Sequence, residues 1–158
     1  MSRNLNDLNP RLLLLYQEFN VKMGEVGLIH VVTSTSRTIL EQMALYTMGR
    51  LSLSDVNIFR KVARLLPIDA PENVKVTWTL NSKHVTNMFD DDLDNDKARA
   101  FDIAILNKQG QTVWDLKVSV NANDTPDYEE AVKIGESVGL VCGGRWKNPD
   151  WPHYELRG

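Results

Sequence analysis

Leu13, Tyr16, Phe19 and Met23 recur at helical spacing, and Asn9-Pro10 just upstream supplies an N-cap and a first-turn proline. The pattern therefore predicts a helix opening at Pro10. The β-branched run at 28–33 predicts a strand. Ser36 is the expected cap of a second helix over 38–48, closed by Gly49. A third helix is expected from Asp55 to residue 66, with Ile58, Val62 and Leu65 on one face. Alternation at 74–79 predicts a strand, and further strands are expected at 101–106 and 112–118. Thr125-Pro126-Asp127 caps a last helix that runs to 138 and stops at Gly139, and short strands at 140–142 and 153–156 finish the chain. Helices and strands mix without a regular βαβ alternation, so the predicted class is α+β.

Composition narrows the picture. A chain of 158 residues without an internal repeat or a flexible linker fits one domain over 1–158, and 42% hydrophobic residues suffice for a single core. A net charge of -3 argues against nucleic acid as partner and leaves no broad basic face for anionic membranes. Leu12 to Leu15 are too few to span a bilayer. The first residues lack the charged and apolar regions of a signal peptide, so synthesis in a cytoplasm is expected, and an external substrate would require release by another agent. The lone cysteine, Cys142, rules out an internal disulfide; with no basic residue close in sequence it reads as a small buried hydrophobe, not a nucleophile.

The candidate chemistry lies in polar residues on or beside predicted strands. His84 follows the 74–79 segment, Asp102 starts the 101–106 strand, and His153 sits in the closing segment. Two imidazoles and a carboxylate are the donor set of a hydrolytic zinc site that keeps one position open for water. Singly, each has a plainer reading: a surface histidine, a strand cap, a satisfied core histidine. Asp150 precedes His153 by three residues. That spacing suits a general base close to the metal but not bound to it, whereas the plain reading is a turn aspartate after Pro149. Glu155 shares a strand face with His153 and competes for the base role; the preferred assignment is Asp150 as base and Glu155 as a partner behind the ligand.

Ser82-x-His84, Ala98-x-Ala100-x-Asp102 and Asp150-x-x-His153-x-Glu155-Leu156 resemble the zinc peptidases that cut peptidoglycan peptides. That family comprises D-alanyl-D-alanine carboxypeptidases and dipeptidases and the L-alanyl-D-glutamate endopeptidases of phage endolysins. The endolysin branch is the nearest in pattern. Gly143-Gly144-x-Trp146, Ser36-Arg37-Thr38 with Gln42, Tyr46-x-x-Gly49-Arg50, residues 76–79 and the Tyr128 to Leu140 helix all resemble it, so the similarity spans roughly residues 29–156. The resemblance implies a small, mostly antiparallel sheet flanked by helices (hedgehog/DD-peptidase-like). It implies zinc held by His84, Asp102 and His153, with Asp150 as base where many relatives carry Glu. It also implies that Arg37 stabilises the oxyanion, for which a fixed cation with several donors is apt; the plain reading of Arg37 is a surface ion pair at a helix start. Gln42, Ser82 and Trp151 are candidate substrate contacts, although Gln42 alone reads equally as a solvent-facing residue and aromatic residues near a turn more often fill core.

The chain departs from the family pattern in the helix-bearing stretch 51–73, a candidate wall of the cleft, and in one loop. The family places its aspartate seven residues after the histidine, whereas Asp102 lies 18 positions beyond His84. The added stretch is acidic. Asp90, Asp92, Asp94 and Asp96 alternate as calcium-loop oxygens do, but Asn95 and Phe101 stand where an EF-hand needs Gly and Glu. Ca2+ is thus a secondary candidate beside a plainly solvated acidic run. The expectation is a monomeric catalytic domain without a separate wall-binding module, an endolysin that hydrolyses the L-alanyl-D-glutamate amide of the bacterial peptidoglycan stem peptide for host lysis after holin-type release. The rivals are a D-alanyl-D-alanine carboxypeptidase and a non-catalytic wall-binding domain of the same fold.

Overall fold

The computed structural model describes residues 1–87 and 96–158. Its architecture is α+β, as expected. Helix α1 (Pro10–Glu25) is followed by strand β1 (Ile29–Ser34), helices α2 (Ile39–Thr47) and α3 (Leu53–Val62), strands β2 (Ala100–Leu106) and β3 (Thr112–Val113), helix α4 (Asp127–Ser137), and strands β4 (Val141–Cys142) and β5 (His153–Glu155).

The sheet is antiparallel and built around β2. Strand β1 pairs along one edge of β2; the other edge is shared by β5, opposite residues 100–102, and β3, opposite residues 105–106, while β4 extends the sheet beyond β5. Side chains alternate across β2. Phe101, Ile103 and Ile105 enter the main core with Leu12, Tyr16, Phe19 and Met23 of α1 and Tyr128, Ala131 and Val132 of α4. Phe101 stacks on Tyr154 of β5 with ring centroids 5.4 Å apart. The intervening Asp102 therefore points to the opposite face. Its register partners are Ser34 on β1 and His153 on β5, so one row of side chains crosses three strands. An irregularity between Val32 and Ser34 brings Ser34 into this row. Helices α2 and α3 share a smaller core of Leu45, Met48, Val56 and Ile68.

Four sequence expectations are corrected. The second helix is capped by Thr38, not Ser36: Thr38 Oγ1 accepts from the Glu41 amide and the Glu41 carboxylate accepts from the Thr38 amide, a reciprocal pair that Ser36, bonded to Asp7, does not make. The third helix starts earlier, under a Ser52 cap, and ends at Val62 because Arg64 turns left-handed at φ 59°. The strand expected at 112–118 pairs only at Thr112 and Val113. Residues 74–79 form no strand although they alternate like one. Their carbonyls are taken by side chains: Gln42 Nε2 donates to Thr79 O at 2.7 Å and Arg50 Nη2 to Thr77 O at 3.0 Å. Gly49 lies so close to this segment that a Cβ there would meet the Lys75 nitrogen at 2.4 Å.

Candidate metal centre and active site

Asp102 and His153 face each other across the β2–β5 ladder. His84 comes from the irregular segment after Ser82, whose hydroxyl accepts from the His84 amide at 3.4 Å and whose carbonyl closes a turn onto Val85. The segment is pinned to the sheet side through Arg37: its amide donates to His84 O and its carbonyl accepts from Thr86. Three atoms converge as a result. His84 Nε2 lies 3.1 Å from Asp102 Oδ1, His153 Nδ1 lies 3.0 Å from the same oxygen, and the two nitrogens are 3.2 Å apart.

The outer ring nitrogens fix the roles of the inner ones. His84 Nδ1 meets the Thr35 carbonyl at 2.6 Å, an acceptor only, so Nδ1 carries the proton and Nε2 presents a lone pair. His153 Nε2 meets Glu155 Oε2 at 3.1 Å and donates to it, which turns the Nδ1 lone pair inward. Glu155 is in turn held by Lys83 Nζ at 3.0 Å, and Lys83 also donates to the Leu156 carbonyl. Two imidazole lone pairs and a carboxylate oxygen at 3.0–3.2 Å approach the edge of a tetrahedron with metal–ligand bonds of ~2.0–2.1 Å, about 3.3 Å. Among the described residues this is the one group of three or more such side chains able to hold a metal. The donor set and its outer partners fit zinc.

Without a metal a proton serves the same electrostatic purpose. Burial works against a charged His153, but the bonds to Asp102 and Glu155 and the charges of Asp102 and Asp150 push its pKa up to about 9. Burial likewise opposes the charge of Asp102, and the two histidines override it, holding the carboxyl far below the usual range. Glu155 is kept below its ordinary value by His153 and Lys83 despite burial.

Asp150 lines the cleft beside this group. Burial first, and then the Asp102 charge, raise its pKa, with His153, His84 and Arg37 pulling the other way. A carboxyl so poised suits a group that takes a proton and gives it back. Its backbone is locked: its amide donates to Gly143 O and its carbonyl accepts from His153 N. A Cβ on Gly143 would meet the Asp150 carbonyl oxygen at 2.4 Å.

Arg37 lies on the far side of Asp102. Its Nη2 donates to Asp102 Oδ2 at 3.1 Å and its Nη1 to Gln42 Oε1 at 3.1 Å, while its Nε is buried without a hydrogen-bond partner. The guanidinium thus orients the Asp102 carboxylate.

The structure brings together Arg37, Ser82, His84, Asp102, Asp150, His153 and Glu155, all of which line one cleft. Gln42 and Trp151 are placed elsewhere. Gln42 is fully buried and spends its donors on Thr77 and Thr79 and its acceptor on Arg37, so it braces the cleft from behind. Trp151 packs against the main core and over Gly144; the tryptophans on the cleft are Trp78, Trp114 and Trp146. Of the calcium candidates, Asp90, Asp92 and Asp94 lie outside the described residues, and Asp96 is half-buried and is not among the three side chains that could hold a metal. Lys83 and the Thr35 carbonyl were not singled out from sequence: Lys83 had its place next to His84 as a signal, but a backbone carbonyl has none. Cys142 is buried with its thiol pushed up to about 12, mainly by burial, which excludes it as a nucleophile.

Comparisons with known proteins point to peptidoglycan-acting enzymes. Residues 96–156 match the family described as D-alanyl-D-alanine carboxypeptidase, a stretch that carries Asp102, Asp150 and His153 and begins beyond His84. The chain is 25% identical over 152 residues to the peptidoglycan L-alanyl-D-glutamate endopeptidase CwlK of Bacillus subtilis (strain 168), covering 96% of this chain and 74% of that protein. Its fold resembles the crystal structure of the Serratia marcescens L-Ala D-Glu endopeptidase ChiX, with a TM-score of 0.54 at 16% identity over 99% of this chain and 87% of the other. The chain is thus similar to D-alanyl-D-alanine carboxypeptidases over residues 96–156 and to an L-alanyl-D-glutamate endopeptidase over nearly its whole length.

Proposed function

We propose that this protein is a zinc-dependent endopeptidase that hydrolyses the L-alanyl-D-glutamate amide of the peptidoglycan stem peptide. The observation that carries the reading is the convergence of His84 Nε2, His153 Nδ1 and Asp102 Oδ1, with both histidines anchored from behind, in a chain whose curated relative is an endopeptidase of this specificity. His84, Asp102 and His153 are the zinc ligands. A zinc ion bound there supplies Lewis acidity to the scissile carbonyl and acidifies water in the cleft.

The chain's own residues perform the rest. Asp150 accepts the proton of the attacking water as its oxygen bonds to the carbonyl carbon. As the C–N bond breaks, Asp150 delivers that proton to the departing D-glutamate nitrogen, giving a carboxylic acid and an amine, which ionise to carboxylate and ammonium. Arg37 offers a fixed positive charge to the oxygen that becomes anionic, while its bond to Asp102 holds the ligand in place. Glu155 and Lys83 keep His153 in its ligating tautomer. The likeness of the closing motif to endolysins supports a role as the catalytic domain, acting as a monomer, of a phage lysis protein that reaches the wall after holin-type release.

Mass spectrometry of muropeptides digested by the zinc-loaded protein tests the specificity. New amino termini on D-glutamate are expected; release of D-alanine in their place would reassign the enzyme as a carboxypeptidase, and no cleavage with zinc bound would favour a wall-binding role.

A further inference from the structure

Three of the chain's four tryptophans line the cleft, and neither the metal-ligating group nor the proton path uses them. Trp78 is 59% exposed, Trp114 55% and Trp146 39%, so each keeps an indole surface in water. Large aromatic surface left bare beside a polar site marks a ligand surface. These rings are not on loosely held chain. Trp78 stands between Thr77 and Thr79, the residues clamped by Gln42 and Arg50, and Lys75 Nζ sits 5.8 Å from its ring centroid. Trp114 directly follows the β3 pairing with β2. Trp146 lies against a proposed zinc ligand, its centroid 4.9 Å from that of His153 at an interplanar angle of 46°.

The covalent structure of the proposed substrate says what covers them. The L-alanine of a stem peptide is amide-linked to the lactyl group of N-acetylmuramic acid. If the alanyl carbonyl is the scissile one, one residue and a lactyl unit separate it from the pyranose. That is about 8 Å at full extension. Trp146 packs on the proposed ligand His153 at a centroid distance of 4.9 Å, a separation of the same order as that reach. Neither the alanine methyl nor the glutamate carboxylate calls for an indole face. A pyranose does, because its C–H faces stack on aromatic rings while its hydroxyl and acetamido groups take hydrogen bonds at the edge, and Asn81 and Asn148 line the same cleft.

We infer that Trp146, with Trp78 and Trp114, forms a saccharide subsite for the muramyl residue that bears the stem peptide, so the enzyme takes glycan-linked stems in preference to free peptides. The inference rests on the endopeptidase reading. The test compares two substrates of the zinc-loaded full chain: an N-acetylmuramyl stem tetrapeptide and the same tetrapeptide carrying a lactyl group without the sugar. The muramyl substrate should have a kcat/KM at least about 10-fold higher, and Trp146→Ala, or Trp78→Ala with Trp114→Ala, should bring that ratio to within about twofold of unity with zinc content unchanged. Equal rates in the unaltered protein, or a ratio that the tryptophan variants leave intact, would overturn the subsite. A parallel titration follows intrinsic tryptophan fluorescence with an N-acetylglucosaminyl–N-acetylmuramic acid oligosaccharide free of peptide. A saturable change lost in Trp146→Ala supports the subsite; no change opposes it. Release of D-alanine without any cut beside D-glutamate would overturn the endopeptidase reading instead, and the saccharide titration would still decide the role of the tryptophans.

Discussion

The two sides of the cleft are built by different means. On one side Asp102 and His153 sit opposite each other on β2 and β5, so backbone ladders set their separation. On the other, residues 74–86 carry Trp78 and His84 with almost no ladder: among the described residues the pairing is one bridge between Arg37 and Val85, and Gln42, Arg50, Lys83 and the His84 bond to Thr35 add side-chain ties. A ladder fixes many atoms at once and tolerates the loss of any single side chain. A side-chain clamp concentrates the same task in one or two residues.

The sheet side should give the largest effects. Asp102→Asn keeps the shape and removes the charge that both histidines face; we predict loss of bound zinc and a fall in kcat/KM of at least about 1,000-fold, read by metal analysis and muropeptide hydrolysis. Asp150→Asn should keep zinc while kcat falls by about 100- to 10,000-fold, the range of a lost general base; full activity would move that role to Glu155. Glu155→Gln breaks the charged contact behind His153 and should weaken zinc binding by about 10- to 100-fold, measured by competition with a chelator, with a smaller change in kcat at saturating zinc.

The wall side should be subtler and should reveal its coupling. Gln42→Met is expected to lower kcat by about 10-fold with zinc retained. Combined with Arg37→Lys, the losses should be less than multiplicative, because one of the Gln42 bonds acts through the guanidinium while those to Thr77 and Thr79 do not; fully multiplicative losses would separate the two residues. The smallest effect is on stability. In the metal-free protein the His153 pKa is raised from 6.5 to about 9. Its stabilising contribution is thus complete below about pH 6.5 and is lost as pH climbs through about 9. Thermal melts of stripped protein should fall by a few degrees from pH 6 to 9.5, while zinc-loaded protein changes less; identical profiles would contradict the assignment.

This contrast also explains what could be read from the sequence. Asp102 and His153 were legible because alternation of Phe101, Asp102 and Ile103, and of His153, Tyr154 and Glu155, assigns their faces once the strands are recognised. Residues 74–79 misled for the same reason: their alternation promised a strand, but a strand needs a neighbouring edge, and here the carbonyls found side chains of α2 and its end. Gln42 was legible as near the site but not as buried behind it, since a glutamine on a helix carries no mark of which way it will spend its hydrogen bonds. The tryptophans show a similar limit. Trp146 and Trp151 stand five residues apart in one motif, and only the turn at Gly143–Arg145 decides that the first meets the cleft and the second the core.

Gly143 has a consequence for how far this protein can vary. A β-carbon there would fall 2.4 Å from the Asp150 carbonyl oxygen and 3.0 Å from the Cβ of His153. A library of all twenty residues at position 143, screened for hydrolysis, should return glycine alone, alanine included among the failures. The same screen at exposed Lys133, on α4 and off the cleft, should accept many. The chemistry is thus guarded by the absence of a side chain, and a search for improved variants would do well to leave that one position out.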